Sequence, residues 1–185
     1  MSRYDLTNEA SRANRRPTEE PVALLALLVV TPAAGPEAYA ARLRHLVGEA
    51  VGVAQVADFG RGNVPTSSLP NWFLALTDGG DEAEESDELG SEGKRRYLEA
   101  REDRPWEIED WVYCFDPDLR SWSWWDVTVS SHGQVNVWID TKGEAHVPCE
   151  ELWWAVYVSG ALDVAALMLE SAEVWSQQTS ISVIQ

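Results

Sequence analysis

Cysteine, lysine and methionine each occur only twice in this 185-residue chain, and histidine three times. Cys114 and Cys149 allow one pairing at most and form no CxxC pattern, so neither a disulfide framework nor a zinc module is expected. His45, His132 and His146 are scattered, and the HxE, HExxH, GxSxG and phosphate-loop patterns are all absent. Long apolar runs are missing too. The longest, Val22–Val30, falls far short of the roughly 20 residues that span a membrane. Arg15-Arg16 ahead of it has the layout of a twin-arginine export signal, but Glu19, Glu20 and Pro21 break the passage from basic to apolar. A cytoplasmic protein without a membrane partner is therefore expected.

Positive charge is equally scarce. Fourteen bases stand against 31 acids, a net charge of −17, which excludes the clustered Lys and Arg on which non-specific nucleic-acid binding rests. A hydrophobic content of 45% excludes a chain disordered throughout, and the length suits one domain with a substantial core.

What the chain does hold is tryptophan. There are ten, nine of them from Trp106 to Trp175. Asp78 to Asp118 carries 16 acids and five bases, a net of −11. Charge this polarised along a chain orients a partner more than it helps folding.

The pattern of the chain predicts a single α+β domain over residues 21–175, with an antiparallel or mixed sheet. Residues 1–20 read as an N-terminal tail or short helix. Val22–Val30 reads as a strand, and Gly35-Pro36-Glu37 starts a helix whose inner face is Tyr39, Leu43, Leu46, Val47 and Ala50. Val51–Phe59 and Trp72–Thr77 read as strands, Asp78–Glu92 as a mobile acidic loop, Arg95–Glu102 as a short polar helix and Ile108–Phe115 as a strand. Trp122–Ser130 and Gln134–Asp140 form a hairpin. A three-residue loop with Gly133 in the left-handed region pairs Val129 with Val135, Val127 with Val137 and Trp125 with Ile139. A one-residue slip would mix apolar and polar faces. Glu144–Val147 reads as a short strand, Pro148 to about Ser171 as a long helix on the sheet, and 176–185 as a tail or edge strand.

The candidate binding site is the other face of the hairpin: Trp122, Trp124, Asp126 and Trp138 with Asp140, joined by the loop acids Asp81, Glu84 and Glu85. Indole rings beside carboxylates hold a Lys or Arg by cation–π contact and ion pairing, and can equally stack a sugar or base. The competing reading places these rings in the core. The loop acids do not match a calcium loop, because Ser86 stands where its sixth-position glycine belongs. Cys149 at a helix start has His146 three residues before it, but in an extended segment the two point apart, so an inert thiol is expected.

The sequence reading is thus a non-enzymatic module that engages a basic protein partner, with no cofactor and no metal. Inhibitors that neutralise basic enzymes, as immunity proteins do with nuclease toxins, share this charge and size. The alternatives are a small-molecule or carbohydrate binder or hydrolase with a Trp platform and paired carboxylates, and a subunit of a larger assembly.

Overall fold

Gly133 supplies the backbone conformation that a three-residue loop needs, with φ 73°, and around it Val129 pairs with Val135 and Val127 with Val137. This hairpin is the middle of the computed structural model, which describes residues 4–77 and 87–184. In chain order the elements are α1 (Leu6–Asn14), β1 (Leu24–Pro32), α2 (Pro36–Val56), α3 (Asn71–Thr77), α4 (Glu88–Arg101) and α5 (Ile108–Tyr113). The hairpin strands β2 (Ser123–Val129) and β3 (Val135–Asp140) follow, then α6 (Glu150–Val158), β4 (Ala161–Val164), β5 (Met168–Ser171), α7 (Ala172–Ser176) and β6 (Thr179–Ser180). The fold is α+β, and every strand pairing is antiparallel.

The strand order is β4-β1-β3-β2-β6, and β5 also pairs with β1. β1 is long enough to serve two partners on one edge: Leu24–Leu27 meet β5, and Val30–Pro32 meet β4. Its other edge meets β3, with Ala26 opposite Ile139 and Leu28 opposite Val137. Alternation then sends Ala26, Leu28, Val30, Val127, Val135, Val137 and Ile139 into the main core beneath the helices. Leu25, Leu27, Trp125 and Trp138 line the opposite face, where Ala172 and Trp175 of α7 cover them.

Several expected strands are helices, and the reason is a period misjudged over short runs. Val51–Val56 continues α2, because Leu43, Val47, Ala50, Val51 and Ala54 keep helical spacing and are all buried. Trp72–Thr77 belongs to α3. In α5 the buried residues are Ile108, Trp111 and Val112, followed by Phe115, which is helical rather than alternating spacing. Glu109 and Asp110 in its first turn favour the helix through its dipole. Glu144–Val147 forms no strand, and the short polar helix is the longer α4, which takes in Glu88–Glu92 of the expected loop.

The long C-terminal helix is not there. α6 stops at Val158, and Gly160 adopts φ 115°, a backbone setting in which the chain turns back to add β4 and β5 to the sheet. At the N-terminus the helical reading holds, since α1 packs against the chain with Glu9, Arg12 and Ala13 buried. At the C-terminus the edge-strand reading holds over Thr179–Ser180, which pair with β2.

Candidate functional site

The hairpin does not present its tryptophans. Trp122, Trp124 and Trp138 are each 0% exposed, and Asp126 and Asp140 are buried with them. The register slips between Trp124 and Asp126, so Trp124 rather than Trp125 stands opposite Ile139. That bulge turns Trp124 into the main core and Trp125 to the α7 side. The indole N–H groups of Trp122, Trp124 and Trp138 are used internally. Trp122 Nε1 donates to Glu151 Oε1 at 2.6 Å, Trp124 Nε1 to the Arg12 carbonyl at 3.3 Å and Trp138 Nε1 to Thr128 Oγ1 at 2.8 Å. Asp126 accepts from Arg44, Trp175 and Ser180, and Asp140 from the Lys142 amide. The cations anticipated from a partner are also supplied by the chain itself. Arg12 lies over Trp125, Arg16 over Trp175, Arg42 over Trp72 and Arg101 over Trp153. Asp81, Glu84 and Glu85 lie outside the described residues.

A different surface emerges from α5. Its inner side is fixed by the Trp111 indole, which donates to the Glu151 carbonyl of α6 at 2.9 Å and packs on Phe73 and Phe115. With Ile108, Trp111 and Val112 inward, helical geometry puts Glu109, Asp110 and Tyr113 in solvent. The turn after it adds exposed Asp118 and Leu119, the latter 78% exposed. Asp116 shapes this turn by accepting the Asp118 amide at 3.0 Å. Among the described residues, Glu107, Glu109, Asp110, Asp116 and Asp118 form no ion pair with any lysine or arginine.

Two hollows flank this ridge. One of about 210 Å³ is lined by Asp103, Arg104, Pro105, Trp106, Glu107 and Asp110. The other, of about 290 Å³, lies between Tyr113, Cys114, Leu119, Arg120, Ser121, Pro148 and Glu151. Its rim is the exposed Tyr113, Leu119 and Pro148, and its depth is the buried Arg120 and Glu151. Arg120 is committed to Glu9, gripping the carboxylate with both terminal nitrogens at 2.8 and 2.5 Å. Burial raises the Glu151 carboxyl above its ordinary value, although the Trp122 hydrogen bond opposes the shift.

That shift has a definite sign in stability. Above 4.5, the ordinary value, the folded carboxyl holds protons that the unfolded one has released, so its contribution falls as pH climbs to the folded value. Wild type should therefore lose stability relative to Glu151→Gln as pH rises from about 4.5 through the raised folded value, measured by denaturant unfolding. Parallel curves would show that Glu151 titrates normally.

Both thiols are held protonated. Burial, then Glu151 and Asp110, push Cys114 up to about 12; burial, then Glu151 and Glu150, push Cys149 up to about 12. A helix start does not activate Cys149 when two carboxylates stand beside it. Among the described residues, no group of three or more His, Cys, Asp and Glu is placed to hold a metal, and no helix is long and apolar enough to cross a membrane. Sequence reasoning missed the α5 ridge because it took Ile108–Phe115 for a strand. The acids Glu107, Glu109 and Asp110 before a helix-spaced apolar set were the signal that could have found it.

Comparisons with protein families, curated proteins and solved structures found no match.

Proposed function

We propose that this chain is a non-enzymatic binding module whose acidic α5 ridge engages a basic protein, in the manner of an inhibitor or immunity-type protein. The observation that carries the reading is the row of carboxylates that, among the described residues, form no ion pair with a lysine or arginine, at Glu107, Glu109, Asp110, Asp116 and Asp118, set beside exposed Tyr113 and Leu119. Folded chains ordinarily intersperse the two signs of charge on their surfaces, as where Glu92 and Glu99 meet Arg95 and Asp58 meets Arg61, whereas the α5 ridge gathers five carboxylates within twelve residues. Charges left unpaired on one ridge repel each other, and a cationic partner relieves that repulsion as it docks. The Trp-platform version of a carbohydrate binder or hydrolase loses its platform, since Trp124 and Trp138 are core.

The test is kinetic. A partner captured at low salt from the native host should associate at least about tenfold more slowly at about 150 mM salt than at about 15 mM, as screening shortens the field. The triple variant Glu109→Gln/Asp110→Asn/Asp118→Asn should slow association by a similar factor, with its thermal midpoint lowered by only a few degrees through the lost dipole contribution of Glu109 and Asp110. No capture at low salt, or a rate indifferent to salt, defeats the reading.

A further inference from the structure

We infer that the hollow between α5 and α6 receives one lysine or arginine side chain of the partner, with its alkyl stem against Tyr113 and Leu119 and its charged head at Glu151; the inference rests on the binding reading above.

The hollow is built for a group with two characters. Its outer wall is apolar: the Tyr113 ring, the Leu119 side chain and Pro148. Its deep end is a carboxylate that is only 6% exposed and that, among the described residues, forms no ion pair with a lysine or arginine. An amphipathic cation matches both ends, since Lys and Arg lay their stems along apolar surface and carry the charge at the tip. A purely apolar side chain would leave Glu151 buried with only the charge that Arg120 shares with Glu9, and an anion would meet the Glu151 charge.

Local charge points the same way. Arg120 is bonded through both terminal nitrogens to Glu9, in a pair that is 0% exposed on both sides, so its charge is shared and offsets Glu151 only in part. Glu150 next to it is occupied by Arg101. Trp122 fixes the Glu151 carboxylate through its indole N–H, so the acceptor is oriented before any cation arrives. Size also decides. A hollow of about 290 Å³ sits at or below the small end of the roughly 300–1,000 Å³ that small-molecule pockets occupy, and suits a single side chain. The unpaired acids of the ridge lie alongside, so a basic segment crossing α5 carries its other charges over Asp110 and Asp118.

The Trp122 indole N–H, bonded to the receiving carboxylate, is a reporter for occupancy. Acetyl-Gly-Lys-Gly-amide, acetyl-Gly-Arg-Gly-amide and acetyl-Gly-norleucine-Gly-amide are titrated into ¹⁵N-labelled full-length protein. The lysine and arginine peptides should shift the Trp122 indole and Ser121 amide signals, with the norleucine peptide at least about tenfold weaker. Glu151→Gln keeps an acceptor for Trp122 and should weaken the cationic peptides at least about tenfold; Leu119→Ser should weaken all three. Equal response to norleucine and lysine, an unchanged affinity in Glu151→Gln, or no movement of the indole signal overturns the assignment. Movement confined to Glu109, Asp110 and Asp118 overturns it while leaving the acidic ridge intact. An occupied hollow in a chain whose partner association ignores salt would instead defeat the broader reading alone.

Discussion

Arg44→Met is expected to lower stability by about 3–5 kcal/mol, the range for removing one partner of a buried ion pair. Arg44 projects from α2 and is 3% exposed. Its Nε donates to the Ile181 carbonyl at 2.8 Å. One terminal nitrogen reaches the Arg12 and Ala13 carbonyls at 3.0 and 3.4 Å, and the other reaches Asp126 Oδ1 at 2.5 Å and the Val127 carbonyl at 3.2 Å. All five donors of the guanidinium are thereby used. One side chain joins α2, the end of α1, β2 and the C-terminal segment, elements far apart in sequence. Burial lowers its pKa and Asp126 opposes that, so the pair stands or falls together.

For a chain of this length about 1 kcal/mol moves the thermal midpoint by roughly 2–4 °C, so a drop of about 10 °C is anticipated. The loss should not be spread evenly. Ile181 and β6 depend on Arg44 and on Asp126, which also holds Trp175 at 2.8 Å and Ser180. Hydrogen exchange should therefore accelerate first across Ala172–Ile181. Adding Asp126→Asn to Arg44→Met removes a buried carboxylate charge that is then left, among the described residues, with only the longer Arg16 ion pair at 3.8 Å, and should recover part of the loss. A double variant no more stable than the single one, or a single variant within about 0.5 kcal/mol of wild type, would show that the clamp is not what holds the C-terminal segment.

The hairpin and the clamp mark the two ends of what sequence could show. Gly133 sits between two alternating runs, so turn chemistry and face pattern agreed, and the Val129–Val135 and Val127–Val137 pairs followed. The bulge at Trp124–Asp126 was not legible, because an extra residue in a strand of Trp-Trp-Asp changes no periodicity that five residues can reveal. That single residue decided the fate of Trp124 and, with α7 covering Trp138, removed the expected recognition face. The helices α3 and α5 were misread for a related reason: runs of six or seven residues fit either period, and only tertiary contacts choose. Gly160 is the one residue inside the expected Pro148–Ser171 helix that signals a stop, and the apolar residues on both sides of it fit a helix as well as a helix followed by two strands. The buried ion pairs, Glu9 with Arg120 and Arg44 with Asp126, bring residues together across long stretches of chain. No spacing rule announces them. The charge asymmetry, in contrast, was legible from composition alone, and its exposed remnant on α5 is where the proposed function rests.

Gly93→Ala and Gly52→Ala should move stability in opposite directions, although both replace a helical glycine by the best helix former. Propensity alone would credit each with about 1 kcal/mol of stabilisation. Around Gly52 in α2, an added Cβ meets nothing within 4 Å, so that gain should appear nearly in full. Gly93 in α4 faces the backbone of α6. A Cβ there would overlap the Tyr157 carbonyl oxygen, lie 2.7 Å from its carbonyl carbon and stand 2.9 Å from Val158 Cα. Those atoms belong to a helix whose residues are all but buried, so the backbone has nowhere to retreat. Relief requires α4 to lift from α6, which parts Tyr97 from Trp154, whose ring centroids are 5.1 Å apart, and strains the Trp106 indole bond to the Tyr97 hydroxyl at 3.1 Å. Overpacking against fixed backbone exceeds the propensity gain, and a net loss of about 2–4 kcal/mol is expected. Denaturant unfolding of the two variants beside wild type reads both signs in one experiment, and a stabilised Gly93→Ala would mean that α4 does not pack on α6 this closely.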